Sequence, residues 1–187
     1  MRTNTYAQKV IRQVNQKGTY VNGTNEIVGF TDKLIISDSF WSKRSGADVE
    51  GMQLFFEEVL SRNEKCHFGP YDSMYYTFLV DEILSASAQF VIDGPNTRRA
   101  IITFPREHCF TSIQLLVRPG TFNDPGHKCS VLVSMRSCNV IDNFANDLYL
   151  AYLISQEVLK HGFGTLHGIK TDSMRVNIGS LHRIIIN

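Results

Sequence analysis

No run in this sequence approaches the roughly 20 consecutive apolar residues that span a bilayer, and the first 17 residues lack the apolar core of a secretory signal. The expectation is a cytoplasmic protein with no membrane association. Cysteine is sparse: the four at 66, 109, 129 and 138 include no Cys-x-x-Cys pair. That spacing writes neither a zinc knuckle nor a disulfide framework, leaving free thiols and no metal site as the expectation. An excess of charge of one sign is also lacking. Nineteen Lys and Arg against eighteen Asp and Glu leave a net +1. No global field therefore draws nucleic acid or an anionic membrane, and any phosphate recognition must be local. Internal repeats, low-complexity tracts and linkers are missing as well. What is present, 43% hydrophobic and 20% charged residues in a chain of 187, makes one globular domain, 1–187, with a sizeable core.

Hydrophobic spacing places the elements. Ala7, Val10, Ile11 and Val14 predict an opening helix over 4–16, stopped by Lys17-Gly18, with a turn at Asn22-Gly23. Short strands follow at Glu26 to Phe30 and Lys33 to Ile36. Met52, Phe55, Phe56, Val59 and Leu60 form one helical stripe, and a second runs from about Tyr76 to Ile92. Between them lies the turn Cys66-His67-Phe68-Gly69-Pro70-Tyr71-Asp72, of a kind that brings backbone close to a ligand. Strand patterns at Ala100 to Phe104, Ile113 to Val117 and Ser130 to Met135 predict a hairpin between the last two. From Asn143 to His161 the apolar residues cover most of a helix, predicting a buried central helix with Asn143 as N-cap and Gly162 after its end. Short strands near Thr165 to Lys170 and Met174 to Ile186 complete an α+β arrangement, a mixed sheet packed with helices.

Three motifs carry chemistry. Cys109 lies between the charged loop Pro105-Arg106-Glu107-His108 and a strand. A Cys taken at random is a small buried hydrophobe, but one flanked by guanidiniums gains thiolate character and is a candidate nucleophile. Arg136-Ser137-Cys138-Asn139 ends an apolar strand, and Thr97-Arg98-Arg99 precedes another; planar guanidiniums suit bidentate phosphate contacts, although a lone Arg is usually a solvated surface charge. Asp147, eleven residues after Arg136, falls in the first turn of the central helix. The macrodipole alone accounts for an acid there; a buried carboxyl group also suits a polar ring.

Taken in order, Arg98-Arg99, Cys109, Gln114, Arg136-Ser137-Cys138-Asn139, Asp147 and Gly179-Ser180-Leu181-His182 make the chain resemble the thymidylate synthase and pyrimidine nucleotide hydroxymethylase family, most firmly from Asn96 to Lys160. The resemblance implies a thymidylate synthase-like fold whose sheet forms a homodimer interface. It implies a pyrimidine nucleoside 5′-monophosphate as substrate and 5,10-methylenetetrahydrofolate as one-carbon donor. Cys109 would be the nucleophile at C6, and Glu58, or Glu57 in its place, the carboxylate that organises water near the base. Arg136 and Ser137 would hold the phosphate, with Arg98 and Arg99 reaching it from the partner subunit. Gln114 and Asn139 would lie near the nucleotide and His182 at the sugar. Members acting on uracil carry Asn at the position matched to Asp147, and cytidylate hydroxymethylases carry Asp. A carboxyl group fits cytosine's N4 amine and, when protonated, its N3 acceptor. Two positions depart from the family pattern: Phe110 follows Cys109 where most relatives have His, and Ile184 stands where the family's His-x-Tyr motif has Tyr.

The expected function is a cytidylate 5-hydroxymethyltransferase. The alternatives are a thymidylate synthase acting on dUMP and a nucleotide-binding homologue without folate chemistry. A thiol hydrolase built on His108 and Cys109 is disfavoured because adjacent residues on an extended chain point to opposite sides. Zinc held by Cys66-His67 with His108-Cys109 would follow no known ligand spacing.

Overall fold

A computed structural model describes residues 5–21, 23–37, 39–119, 126–164 and 169–184. Helix α1 (Tyr6–Lys17) opens the chain with a capping box: Gln8 N–H donates to Thr5 Oγ1, and the Gln8 side chain accepts from Thr5 N–H. Strands β1 (Thr19–Val21) and β2 (Thr24–Ile35) follow, then a π-helical turn over Trp41–Ser45 and α2 (Val49–Leu60). A two-residue hairpin pairs β3 (His67–Phe68) with β4 (Tyr71–Asp72); a single 3₁₀ turn over Ser73–Tyr76 leads into α3 (Leu79–Asp93). Strands β5 (Ile101–Thr103), β6 (Phe110–Arg118) and β7 (Lys128–Asn139), helix α4 (Phe144–Phe163) and strand β8 (Lys170–Ile184) complete the order.

Six strands form one sheet in the order β1-β2-β8-β7-β6-β5. All neighbours are antiparallel except β7 and β8, joined in parallel across α4, so the sheet is mixed and the fold α+β. Inward residues such as Ile113, Leu115, Val131, Val133, Met174 and Val176 are buried, while their alternates Gln114, Leu132, Arg175 and Asn177 are half-buried or exposed. The helices therefore cover one face and leave the other open. Helix α4 is the centre of the covered side, with Leu148, Leu150, Ala151, Ile154 and Val158 all at most 1% exposed. Ser87 of α3 ties to it, donating to the Val158 carbonyl at 3.1 Å.

One row of the sheet breaks the alternation. Two residues, not one, separate successive inward side chains in four neighbouring strands: Val28 and Gly29 in β2, Gly179 and Ser180 in β8, Arg136 and Ser137 in β7, and Thr111 and Ser112 in β6. Gly29 adopts φ +69, which favours glycine. A Cβ on Gly179 would sit 2.7 Å from the Arg136 carbonyl oxygen. These stacked bulges re-aim Arg136 and Ser137 beside the start of β6.

Several expectations shift. The two short strands expected over 26–36 are one twelve-residue strand, whose apolar runs the polar pair Thr31-Asp32 separates. Near the C-terminus, β8 runs fifteen residues; the part of the expected strand at 165–168 lies outside the described residues, as does Asn22 of the expected turn. Gly162 lies inside α4, where a Cβ would come 2.9 Å from the Phe90 ring, and Gly164 caps the helix instead. Asn143 occupies the N-cap position, but its side chain makes no capping bond. No helix among the described residues is long and apolar enough to cross a membrane.

Candidate functional site

Cys109 immediately precedes β6, and the stacked bulges bring β7 against it: Arg136 N–H donates to the Cys109 carbonyl at 2.7 Å. The half-buried thiol opens into a cleft of about 310 Å³, at the lower end of the range for small-molecule sites. Tyr71, Tyr76, Asn143 and Asp147 line that cleft with Cys109. Helix α4 supplies Asp147 from its first turn and the β3–β4 hairpin supplies Tyr71, two residues 76 apart in sequence. Tyr71 O–H donates to Asp147 Oδ1 at 2.7 Å, and the Cys138 thiol donates to Oδ2 at 3.3 Å.

Burial governs the electrostatics. Asp147 is only 4% exposed, and loss of water pushes its carboxyl pKa up to about 6 against the pull of the Tyr71 and Cys138 hydrogen bonds. Burial also raises the phenols of Tyr71 and Tyr76, with Asp147's charge adding to both. For Cys109 the sequence points to a lowered pKa, and the balance goes the other way. Burial and the charge of Asp147 push the thiol up, outweighing the Ser137 hydrogen bond and the Arg136 guanidinium that pull it down. His108 is boxed by the rings of Tyr75, Tyr76, Phe78 and Phe104 at centroid distances of 5.1 to 6.5 Å. Burial there lowers its pKa and favours neutral imidazole.

The remaining candidate residues fall elsewhere. Glu58, half-buried late in α2, accepts from Asn63 Nδ2 beyond the cleft. Gln114 Nε2 donates to the Arg98 carbonyl at 2.7 Å, and Gln114 and Arg98 line a separate depression of about 400 Å³ with Arg118. The Arg99 guanidinium lies 3.5 Å from Asp93. The Asn139 carboxamide closes a turn, accepting from Ile141 N–H at 3.1 Å and donating to Asp142. His182 sits in β8 opposite Asn139, its carbonyl accepting from Val140 N–H at 2.8 Å. The Arg136 guanidinium itself donates to the Arg106 carbonyl at 2.8 Å.

The structure thus puts Cys109 and Asp147 on the cleft, sets Arg136 and Ser137 beside the thiol but outside the cleft's lining, and places Glu58, Arg98, Arg99, Gln114, Asn139 and His182 elsewhere. It adds Tyr71, Tyr76, Cys138 and Asn143, which the motifs do not single out. The signal for Tyr71 is the Gly69-Pro70 turn before it. Asn143 Oδ1 is a buried acceptor with no partner among the described residues, an arrangement that costs about 1–3 kcal/mol. All four cysteines are free, and no three His, Cys, Asp or Glu side chains converge among the described residues as metal ligands do.

Compared with known proteins, the chain matches no family model and no curated sequence.

Proposed function

We propose that this protein is a pyrimidine nucleotide C5 one-carbon transferase, specifically a cytidylate (dCMP or CMP) 5-hydroxymethyltransferase. The observation that carries this reading is a cleft lined by a thiol and a buried carboxyl group, Cys109 and Asp147, with the Ser137 hydroxyl and the Arg136 guanidinium beside that thiol. With its phosphate against Arg136 and Ser137, the nucleotide lays its base over Cys109 and turns the polar edge toward Asp147. Tyr71 and Cys138 each take one lone pair of that carboxyl group, and each oxygen keeps a second. One accepts cytosine's N4 amine; the protonated form, favoured by the raised pKa, also donates to N3. Uracil presents the opposite pattern at both atoms.

In this reading Cys109 Sγ adds to C6 and makes C5 a nucleophile. Methylenetetrahydrofolate, when bound, supplies the one-carbon unit, and the exposed ring of Tyr75 at the cleft's edge offers its pterin a flat surface. The proton lost from C5 passes to water, and Asp147 keeps its own proton, hydrogen-bonded to N3. Departure of Cys109 from C6 restores the ring and the thiolate. The C5 hydrogen is exchanged for a CH2OH group whose carbon comes from the folate and whose oxygen comes from water. The folate nitrogens lose that carbon and take up the hydrogens released from C5 and from water, so no external oxidant or reductant is needed. The protein acts as a homodimer through the open face of the sheet, where Gln114, Leu116 and Leu132 are only half-buried. Arg98 and Arg99, remote from their own cleft, reach the partner's phosphate; sedimentation equilibrium checks the dimer.

The test is tritium release from C5 of labelled dCMP, CMP and dUMP, with and without methylenetetrahydrofolate, by wild type and Cys109→Ala. Folate-dependent release from a cytidine nucleotide that vanishes in the variant supports the reading. Release from dUMP alone replaces it with a thymidylate synthase. The raised Cys109 thiol favours one further reading, a nucleotide-binding protein without catalysis. That reading predicts saturable nucleotide binding and no release.

A further inference from the structure

A second feature lies away from the Cys109 cleft. Helix α1 and the π-helical turn at Trp41–Ser45 enclose a groove of about 750 Å³. Its α1 wall is one helical face, Lys9, Arg12, Gln13, Gln16 and Lys17 at i, i+3, i+4, i+7 and i+8, while Val10 and Val14 point the opposite way into the core. The other wall adds Lys43 and Arg44. Five cations thus line the groove, and no carboxylate does.

This is a local departure from how the chain treats its charges. Arg62 pairs with Asp81, Arg99 with Asp93 and Lys160 with Glu157. None of the ion pairs among the described residues engages Lys9, Lys17, Lys43 or Arg44. Acidic residues are absent from the sequence before Glu26 and from Trp41–Ser45, so the near-zero net charge is an average over a segregated surface. Like charges on facing walls repel, and a bound polyanion relieves that repulsion while releasing its own counterions.

We propose that this groove binds the phosphodiester backbone of a single-stranded nucleic acid. Lys9 to Lys17 spans about 12 Å along the helix, the reach of a few nucleotides. Tyr6 and Phe40 place aromatic surface in the groove, and the Gln13 and Gln16 amides both donate and accept toward base edges. A membrane surface fits poorly, because the apolar side of α1 is buried in the protein and has nothing to insert. Concavity between two cationic walls suits a flexible strand better than a rigid duplex.

Fluorescence anisotropy of the full chain with fluorescein-labelled dT12 and U12, from 50 to 300 mM salt, tests this; the tighter of the two assigns DNA or RNA. Five engaged cations give a log-log salt slope of about −3.5. Lys43→Glu with Arg44→Glu, and separately Lys9→Glu, weaken binding at least about tenfold, each verified as folded by circular dichroism, while Arg62→Glu and Cys109→Ala leave it unchanged. No binding of either strand at 50 mM salt overturns the proposal, as does binding that ignores the charge reversals. Displacement by micromolar pyrophosphate assigns a small-anion site instead, and binding of phosphatidylserine vesicles without binding of either oligonucleotide assigns a membrane contact; both outcomes overturn it.

Discussion

The Cys109 cleft and the α1 groove handle charge in opposite ways. In the cleft, burial pushes acid, phenol and thiol groups toward their neutral forms, and Asp147 has a protein donor on each oxygen. In the groove, exposed cations line both walls, and most of them have no counterion among the described residues. The first arrangement suits proton and nucleophile chemistry, where a small change in environment decides which form reacts. The second suits attraction, where the number of charges matters more than any one position.

The largest expected effect comes from deleting the nucleophile. Cys109→Ala lowers tritium release by at least about a thousandfold with nucleotide binding retained, because no neighbouring group replaces the covalent step. Equal release by the variant breaks the assignment of the cleft as the reacting site. Asp147→Asn comes next, reversing the preference between cytidylate and uridylate by about a hundredfold or more, read as the ratio of kcat/KM values. The same carboxyl group makes two pH predictions. Cytidylate affinity weakens as pH rises through about 6, where Asp147 loses its proton, and uridylate affinity does not. Stability follows the same group: its folded pKa of about 6 stands above the ordinary 3.8, so the benefit of the bound proton is complete below about 4 and gone above about 6. Urea unfolding detects a fall of roughly 3 kcal/mol over that window, absent in Asp147→Asn.

How much of this was legible in the sequence follows from which physical signal carried each part. Helices α1 and α2, strand β5 and the regular parts of β6 and β7 were readable because Val10 and Val14, or Val131 and Val133, recur at the helical or strand period; the expected strands start after the break at Thr111-Ser112 and stop before the one at Arg136-Ser137. A bulge keeps the chain in the sheet while erasing the period that reveals it. Strand β2 read as two pieces because the polar pair Thr31-Asp32 separates its apolar runs, and β8 lost its start because Thr171, Asp172 and Ser173 are polar. In the cleft, Cys109 and Asp147 stood out as residue types in suggestive settings. Tyr71 did not, since only folding brings β4 onto α4. The direction of the Cys109 shift was hidden too: the neighbouring guanidinium is written in the sequence, and the burial that outweighs it is not.

Gly179→Ala tests whether the stacked bulges hold the cleft in place. Its Cβ meets a backbone carbonyl at 2.7 Å, which cannot move as a flexible side chain would, so strain of about 1–3 kcal/mol is expected in urea unfolding. The displaced group is Arg136, which hydrogen-bonds the Cys109 carbonyl, so the thiol's alkylation rate changes with it. Unchanged alkylation in a destabilised variant would separate the bulge from the site.

The smallest effect is the one that separates the two regions by sign. Arg62 and Asp81 form a surface pair with both side chains more than half exposed. Arg62→Ala therefore lowers stability, by less than about 1 kcal/mol. Lys43 faces three cations across the groove and has Arg44 beside it, and neutralising it removes repulsion. Lys43→Ala raises stability by about 0.2–0.5 kcal/mol in dilute buffer. Both effects shrink in 1 M salt, where the screening length falls to about 3 Å. Opposite signs that converge on zero with salt identify a paired surface cation and an unpaired groove cation in one series of urea titrations. A loss of stability in both variants would mean that Lys43 has a stabilising partner and that the groove is not held open by like charge.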